Sequence, residues 1–443
     1  MTDAHGRQPE AAKSADRRML AILIAATLAV RIGILAAMPE AFVADPDAYR
    51  AVALNVVERG CFGCGDQPTA TRPVLYPLVV AACRLVDPPL WYSLAVLHVA
   101  LGVATVVLTY WLALHWGLGR WSPLPAALVA VDPVLLIHSA LVMTETLASF
   151  LAVAALLATT RCAERPTAGR AALSGAIMAL AVLSRPTFLV WMALTILLMP
   201  LAADRWRDRF RLLAAGGIAA ALVLSPWAIR NAVRFGKPTL TTNHGGFTLL
   251  LANNTSFYEY LRTAQPGEVW DADQFHRDWS LRSRGLTPGD EVAADRLAYA
   301  EALAVIRNEP GTFAYSCLVR VSRLWGLVPH RSADAEGTRR RVARWSVGAF
   351  YAAESLLALV GLACLLRGRV PRELVVRGWI WGLFLAASFT AIHTFYWTNI
   401  RMRAPLIPVV CIAAVLGASQ VFAIMGRNGV PLLARKQCPR LDG

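Results

Sequence analysis

Long apolar runs alternate with short polar clusters over almost the whole chain. Runs able to cross the roughly 30 Å hydrocarbon core of a bilayer lie near residues 19 to 38, 91 to 113, 122 to 141, 145 to 161, 171 to 184, 187 to 203, 211 to 228, 345 to 366, 376 to 393 and 404 to 425. This pattern predicts an all-α polytopic membrane protein with about ten transmembrane helices. A further apolar stretch, VLYPLVVAACRLV at 74 to 86, ends close to Arg84 and would make only about 20 Å of helix. Counted as a span, it would reverse every later loop and send RWRDRFR (205 to 211) and the cluster Arg367, Arg369, Arg372 and Arg377 outside. Placed in the interface, it leaves both clusters in the cytoplasm with Arg161, Arg165, Arg170, the basic N-terminus and Arg435-Lys436, as the positive-inside rule requires.

The chain then divides into a cytoplasmic tail (1 to 18) and a transmembrane region (19 to 228) whose first extracytoplasmic loop is 39 to 90. A second extracytoplasmic loop or cap (229 to 344), C-terminal transmembrane helices (345 to 425) and a cytoplasmic tail (426 to 443) follow. Within the second loop a polar stretch, 262 to 311, precedes CLVRVSRLWGLVP. There Leu318, Val321, Leu324 and Trp325 fall at helical spacing and predict another interfacial helix. No internal repeat is visible.

Composition agrees. The 443 residues are 56% hydrophobic and 16% charged, with a mean hydropathy of +0.48, too apolar for an ordinary soluble domain of this length. The net charge of +15 raises nucleic acid as a partner, but the basic residues sit between apolar runs, where membrane topology explains them. The start, a polar basic stretch and then an apolar run, reads as an uncleaved signal anchor. Cys61 and Cys64 are the only close pair among eight cysteines, which leaves a local disulfide or two free thiols and gives no zinc spacing. No metal and no cofactor are expected.

Chemistry gathers at the lips of the membrane. FVADPDAYRAVALNVVERG (42 to 60) places Asp45 and Asp47 around Pro46. Aspartate followed by proline suits an N-cap and first helical position, and Asp47 would then meet the positive helix end. The helix that follows carries Tyr49, Val52, Ala53, Val56 and Val57 on one stripe and stops at Gly60, so it can lie on the bilayer surface. The same loop returns through TATRPVLYP with Arg72, either a snorkelling side chain or a phosphate ligand. Glu145, between LLIHSALVM and TLASFLAVAALL, is an acid at a costly depth, the kind that is paired or functional. His138, two turns earlier, reads as a packed histidine.

These parts resemble the polytopic GT-C glycosyltransferases, in particular bacterial relatives of protein O-mannosyltransferases and of the aminoarabinose transferase that modifies lipid A. The family's catalytic aspartate stands four residues before a tyrosine, which selects Asp45 with Tyr49 and leaves Asp47 a close second. A basic residue before proline at the second juxtamembrane helix matches Arg72, with Tyr76 following it, and an acid at the boundary of the third and fourth spans matches Glu145. LSRPTFL (183 to 189), PWAIRNAVRFGKP (226 to 238), NHGGFTLLLANN (243 to 254) and RMRAPLIP (401 to 408) are similar to family stretches in the same order. Met402 departs from the family tyrosine between the two arginines.

The resemblance implies a hexosyl or pentosyl transferase in the cell membrane, acting on the extracytoplasmic face. It takes a sugar from a polyprenyl-phosphate donor to a hydroxyl of a glycan, lipid or protein acceptor, with inversion. Asp45 is then the general base, Asp47 and Glu145 are the other acids, and Tyr49, Arg72, Tyr76, Arg185, Arg230, Asn231, Asn253, Asn254, Arg401 and Arg403 are candidate substrate contacts. Asn253 and Asn254 also read as a turn, and Tyr258, Tyr260 and Trp270 as cap core. The alternatives are a transporter or lipid flippase without covalent chemistry, a ligase or polymerase of lipid-linked glycans, and a scaffold. Charges gathered at one face under a long loop, without paired repeats, weigh against a transporter.

Overall fold

The computed structural model describes residues 10–40, 42–264, 268–283, 286, 289–330 and 336–425. Both tails, 1–9 and 426–443, lie outside the described residues.

The fold is built of helices. In chain order they are α1 (Glu10–Ala37), α2 (Tyr49–Arg59), α3 (Leu75–Val86), α4 (Trp91–His115), α5 (Pro123–Val131), α6 (Pro133–His138), α7 (Glu145–Glu164), α8 (Ala168–Ser184), α9 (Phe188–Leu198) and α10 (Trp206–Phe235). The second loop supplies α11 (Gly245–Ala252), α12 (Thr255–Thr263), α13 (Asp273–Ser283), α14 (Glu291–Asn308) and α15 (Pro310–Leu324). Last come α16 (Thr338–Leu366), α17 (Arg372–Leu374) running through a π-helical turn into α18 (Ile380–Phe395), and a 3-10 turn (Ile400–Leu406) leading into α19 (Ile407–Met425). Among the described residues the strands are confined to one antiparallel hairpin in the first loop, Gly63–Cys64 with Gln67–Pro68.

Seven helical stretches among the described residues are long and apolar enough to span a bilayer. Three of the ten expected spans differ. The run 122 to 141 is broken, because Pro133 cannot donate to the helix before it and Asp132 caps a new one, its carboxylate accepting from the Leu135 amide at 2.9 Å. Runs 171 to 184 and 187 to 203 form the shorter apolar helices α8 and α9. The expected interfacial stretch 74 to 86 is a 12-residue helix.

The central span is α7, whose apolar window is 83% buried against 56% or less for the other six. Where lipid surrounds helices, small residues let backbones approach: a Cβ at Gly417 would lie 2.0 Å from the Leu357 carbonyl, and one at Gly361 2.1 Å from that of Ala413, so α16 and α19 lie in backbone contact. Above this bundle α2 and α3 pack on each other, and α11 to α15 form a cap with a core of Leu249, Leu250, Phe275, Ala298 and Ala302. Helix α15 is amphipathic, but its orientation differs from the expected stripe. Leu318 is exposed, and Arg320 points inward to donate to the carbonyls of Thr394 and Ala252, both at 2.7 Å.

Candidate active site

Helix α7 begins at Glu145, an acid in the first turn where it meets the positive helix end. Helix α8 ends at Arg185, which is held extended by Pro186. Arg401 is the second residue of the 3-10 turn, its amide capped by the Asn399 side chain at 3.1 Å. These local stops bring one acid and two guanidiniums together. Arg185 lies 3.5 Å and Arg401 3.7 Å from Glu145, and Arg401 also pairs with Asp47 of the first loop at 3.1 Å.

This cluster is buried and incompletely satisfied. Glu145 is 1% exposed and its Oε2 has no hydrogen-bond partner, nor do Arg185 Nη1 and Arg401 Nε. Arg185 Nη2 and Arg401 Nη1 turn to the sulfurs of Met402 and Met143, at 2.7 and 3.4 Å. A thioether is a weak acceptor. The guanidiniums therefore keep donor capacity that an anionic ligand can use.

Two tyrosines wall the cluster. The rings of Tyr49 and Tyr76 meet edge to face at 5.4 Å, and the Tyr76 hydroxyl bonds His98 Nε2 at 2.9 Å, while His98 Nδ1 bonds the Ser139 carbonyl at 2.9 Å. Burial, then the charges of Asp47 and Glu145, push the Tyr49 phenol up to about 12. Burial holds Tyr76 well above its usual range. Both remain hydroxyl donors at neutral pH. His138 bonds the Val134 carbonyl through Nδ1 at 2.7 Å and is mostly buried, within electrostatic reach of Glu145.

Asp45 does not cap α2 in the expected way. Helix α2 starts at Tyr49, after Ala48 in the left-handed region (φ 57°), and Asp45 to Ala48 form a turn closed by the Ala48 amide on the Asp45 carbonyl at 3.1 Å. The first helical turn thus lacks Asp47, which is drawn to Arg401 instead. Asp45 reaches the helix start from outside, its Oδ2 accepting from the Ala51 amide at 2.8 Å. Its Oδ1 is buried without a partner. Arg72 makes no hydrogen bond or ion pair among the described residues. It lies within electrostatic reach of Tyr49 on one side and His244 of the cap on the other.

Five other candidates lie apart from this cluster and have committed partners. Arg230 clamps the first loop, donating to the carbonyls of Thr69 and Phe62 at 2.9 and 3.0 Å and stacking over Trp227 at 4.8 Å. Asn231 is buried and donates to the Thr239 carbonyl at 2.9 Å. Asn253 ties α11 to Phe395 (3.1 Å) and accepts from the Tyr258 hydroxyl (2.9 Å). Asn254 caps α12 through the Phe257 amide at 2.8 Å. Arg403 donates to the Gly326 carbonyl at 2.8 Å and lies 3.9 Å over the Tyr351 ring. In the cap, Tyr258 is fully buried and Trp270 packs against the core.

Behind the loop, between α2, α3 and α10, runs a groove of about 650 Å³. Val74, Leu78, Leu183 and Val223 line it with apolar surface, and Arg59, Arg230 and Arg234 with charge. Cys61, at its rim, and Cys64 are free thiols. Among the described residues no group of three or more His, Cys, Asp or Glu side chains is arranged to hold a metal ion.

No protein-family model and no curated protein sequence match the chain. Solved structures do. The archaeal oligosaccharyltransferase AglB from Archaeoglobus fulgidus, in complex with an inhibitory peptide and a dolichol-phosphate, aligns with a TM-score of 0.51 at 15% identity, over 93% of this chain and 51% of that one. The apo form of the A. fulgidus oligosaccharyltransferase gives 0.53 at 14% identity, over 92% and 51%. ArnT from Cupriavidus metallidurans, in the apo state, gives 0.43 at 15%, over 92% and 78%. This chain spans about half the length of the oligosaccharyltransferase. Its fold is all-α and polytopic, like the part of the oligosaccharyltransferase that it matches.

Proposed function

We propose that the protein is a membrane glycosyltransferase that moves a sugar from a polyprenyl-phosphate donor to an acceptor hydroxyl on the extracytoplasmic face. The observation that carries this reading is the first loop itself. It holds a carboxylate oxygen without a partner (Asp45 Oδ1) and an uncommitted guanidinium (Arg72), above a buried acid and arginine cluster with donors to spare. The dolichol-phosphate bound to AglB supports a lipid phosphate as the leaving group, and the groove beside Arg230 has room and apolar lining for part of a prenyl chain.

In this mechanism the acceptor oxygen attacks C1 of the sugar from the side opposite the phosphate. The O–C1 bond forms as the C1–O bond to phosphate breaks, inverting the anomeric centre. Asp45 Oδ1 takes the hydroxyl proton, and the bond's electron pair leaves on the phosphate, whose growing charge Arg72, Arg185 and Arg401 stabilise. Asp47 and Glu145 hold Arg401 and Arg185 in place, and Arg230 positions the loop.

The test is transfer by purified protein in lipid, with radiolabelled polyprenyl-phosphate sugars. Label should leave the lipid fraction for an acceptor with wild type and stay with Asp45→Asn. Label crossing the bilayer unchanged on its lipid would instead show a flippase.

A further inference from the structure

The cap meets the first loop where the Asn243 amide donates to the Ala70 carbonyl at 2.8 Å, two residues before Arg72. The next residue, His244, stacks its imidazole on Phe247 with ring centroids 4.8 Å apart and planes 27° from parallel. Phe247 in turn packs on Phe275 and Trp279 of the cap. The ring is thereby fixed in orientation, yet neither of its nitrogens has a hydrogen-bond partner among the described residues. It lies within electrostatic reach of Arg72, whose own donors are uncommitted.

The acids nearby are spent elsewhere. Asp295 accepts from the Gly246 amide at 2.7 Å, and Glu291 accepts from the Thr69 hydroxyl and the Ala70 amide. Burial and the facing guanidinium push the His244 imidazole down to about 4, so it is neutral at rest. A neutral imidazole still donates one N–H, and it adds no repulsion to Arg72. An oriented imidazole N–H and an uncommitted guanidinium within electrostatic reach of each other, with no acceptor on either among the described residues, are two donors that one anion can bridge.

We propose that His244 and Arg72 together seat the phosphate of the lipid donor, the imidazole N–H from the cap and the guanidinium from the first loop each donating to phosphate oxygens. This rests on the lipid-phosphate reading above and adds a residue from a second segment, so that the donor is gripped between loop and cap.

The test measures binding of farnesyl phosphate, farnesol and inorganic phosphate to the full-length protein in detergent micelles. Four proteins are compared: wild type, Arg72→Ala, His244→Phe and His244→Gln. Phenylalanine keeps the stack on Phe247 and removes both nitrogens, and glutamine restores an N–H donor. Wild type should prefer farnesyl phosphate to farnesol. Both His244→Phe and Arg72→Ala should bind the phosphate about 10-fold or more weakly, with farnesol unaffected, and His244→Gln should recover most of the loss. If Arg72→Ala loses the preference while His244→Phe, with unchanged melting temperature, keeps it, His244 is outside the site and the lipid-phosphate reading stands. If wild type does not distinguish farnesyl phosphate from farnesol, that reading fails and this proposal with it. Inorganic phosphate binding as tightly as farnesyl phosphate would overturn the lipid donor as the ligand.

Discussion

Asparagine at position 45 separates what the two oxygens of Asp45 do. Its amide oxygen can still accept from the Ala51 amide, the contact Asp45 Oδ2 makes at 2.8 Å, so α2 should start in the same place. The charge and the basic oxygen are lost. We expect Asp45→Asn to keep its melting temperature and to lose transfer by roughly 10²-fold or more, the scale of a general base. If turnover survives there but not in Asp47→Asn, the base is Asp47, and Asp45 only organises the helix start. Sequence found Asp47, Tyr49, Glu145, Arg185 and Arg401, because a charge abutting an apolar run stands out. Fold geometry brings these five together. Sequence could not separate them from Arg230, Asn253, Asn254 and Arg403, whose clamping role shows only once their partners are known. For Arg230 the acceptor is Thr69, and for Asn253 it is Phe395. His244 stands in NHGGFTLLLANN and Met402 in RMRAPLIP without a role of their own in the sequence, because the guanidiniums they lie near come from other segments and only the fold brings them close.

The dipeptide Asp-Pro occurs in two informative places with two outcomes. At Asp132-Pro133 it starts a helix as an N-cap and first helical residue, and so divides an apolar run that hydropathy alone reads as one span. At Asp45-Pro46 the same pair makes a turn, because Asp47 is held by Arg401 and the helix waits until Tyr49. Local propensity is the same at both sites and tertiary pairing decides. Helix α3 shows the reverse case, in which pattern and structure agree on a short element. Its Tyr76 and Val80 are buried while Leu85 and Val86 are exposed, as suits a helix with one face on protein and an end in lipid. If α3 lies in the interface, reporters fused near residues 120, 165, 207 and 370 should all read as cytoplasmic, and those near 65 and 280 as extracytoplasmic. An extracytoplasmic signal at 207 or 370 would make α3 a span and reverse the orientation proposed for everything after it.

At the scale of the whole molecule, the proposed phosphate seat needs the cap docked on the first loop, because His244 comes from one and Arg72 from the other. Among the described residues Glu291 on Thr69 and Ala70 and the Asn243 amide on the Ala70 carbonyl join the cap to the loop, while Arg230 of α10 braces the same loop through Thr69 and Phe62. Burial pushes the Glu291 carboxyl above its ordinary value, opposed by the hydrogen bonds from Thr69 and Ala70 and by the charge of Arg230. The docked carboxyl therefore keeps its proton to higher pH than a detached, solvated one. Between the ordinary carboxylate value and the raised one, the docked state binds more protons, so its stability is complete below that window and falls as pH rises through it. Hydrogen exchange at the Ala70 and Asn243 amides, corrected for intrinsic rates from about pH 4 to pH 7, should show protection falling with rising pH. Glu291→Gln should remove that slope. Glu291→Ala, which loses both contacts, should raise the KM for the donor several-fold with less effect on kcat, because the segment leading to Arg72 loosens. Protection that instead grows with pH would mean that the ionised carboxylate is the docked form, held by Arg230, and that the cap is latched by charge rather than by a buried hydrogen-bonded acid.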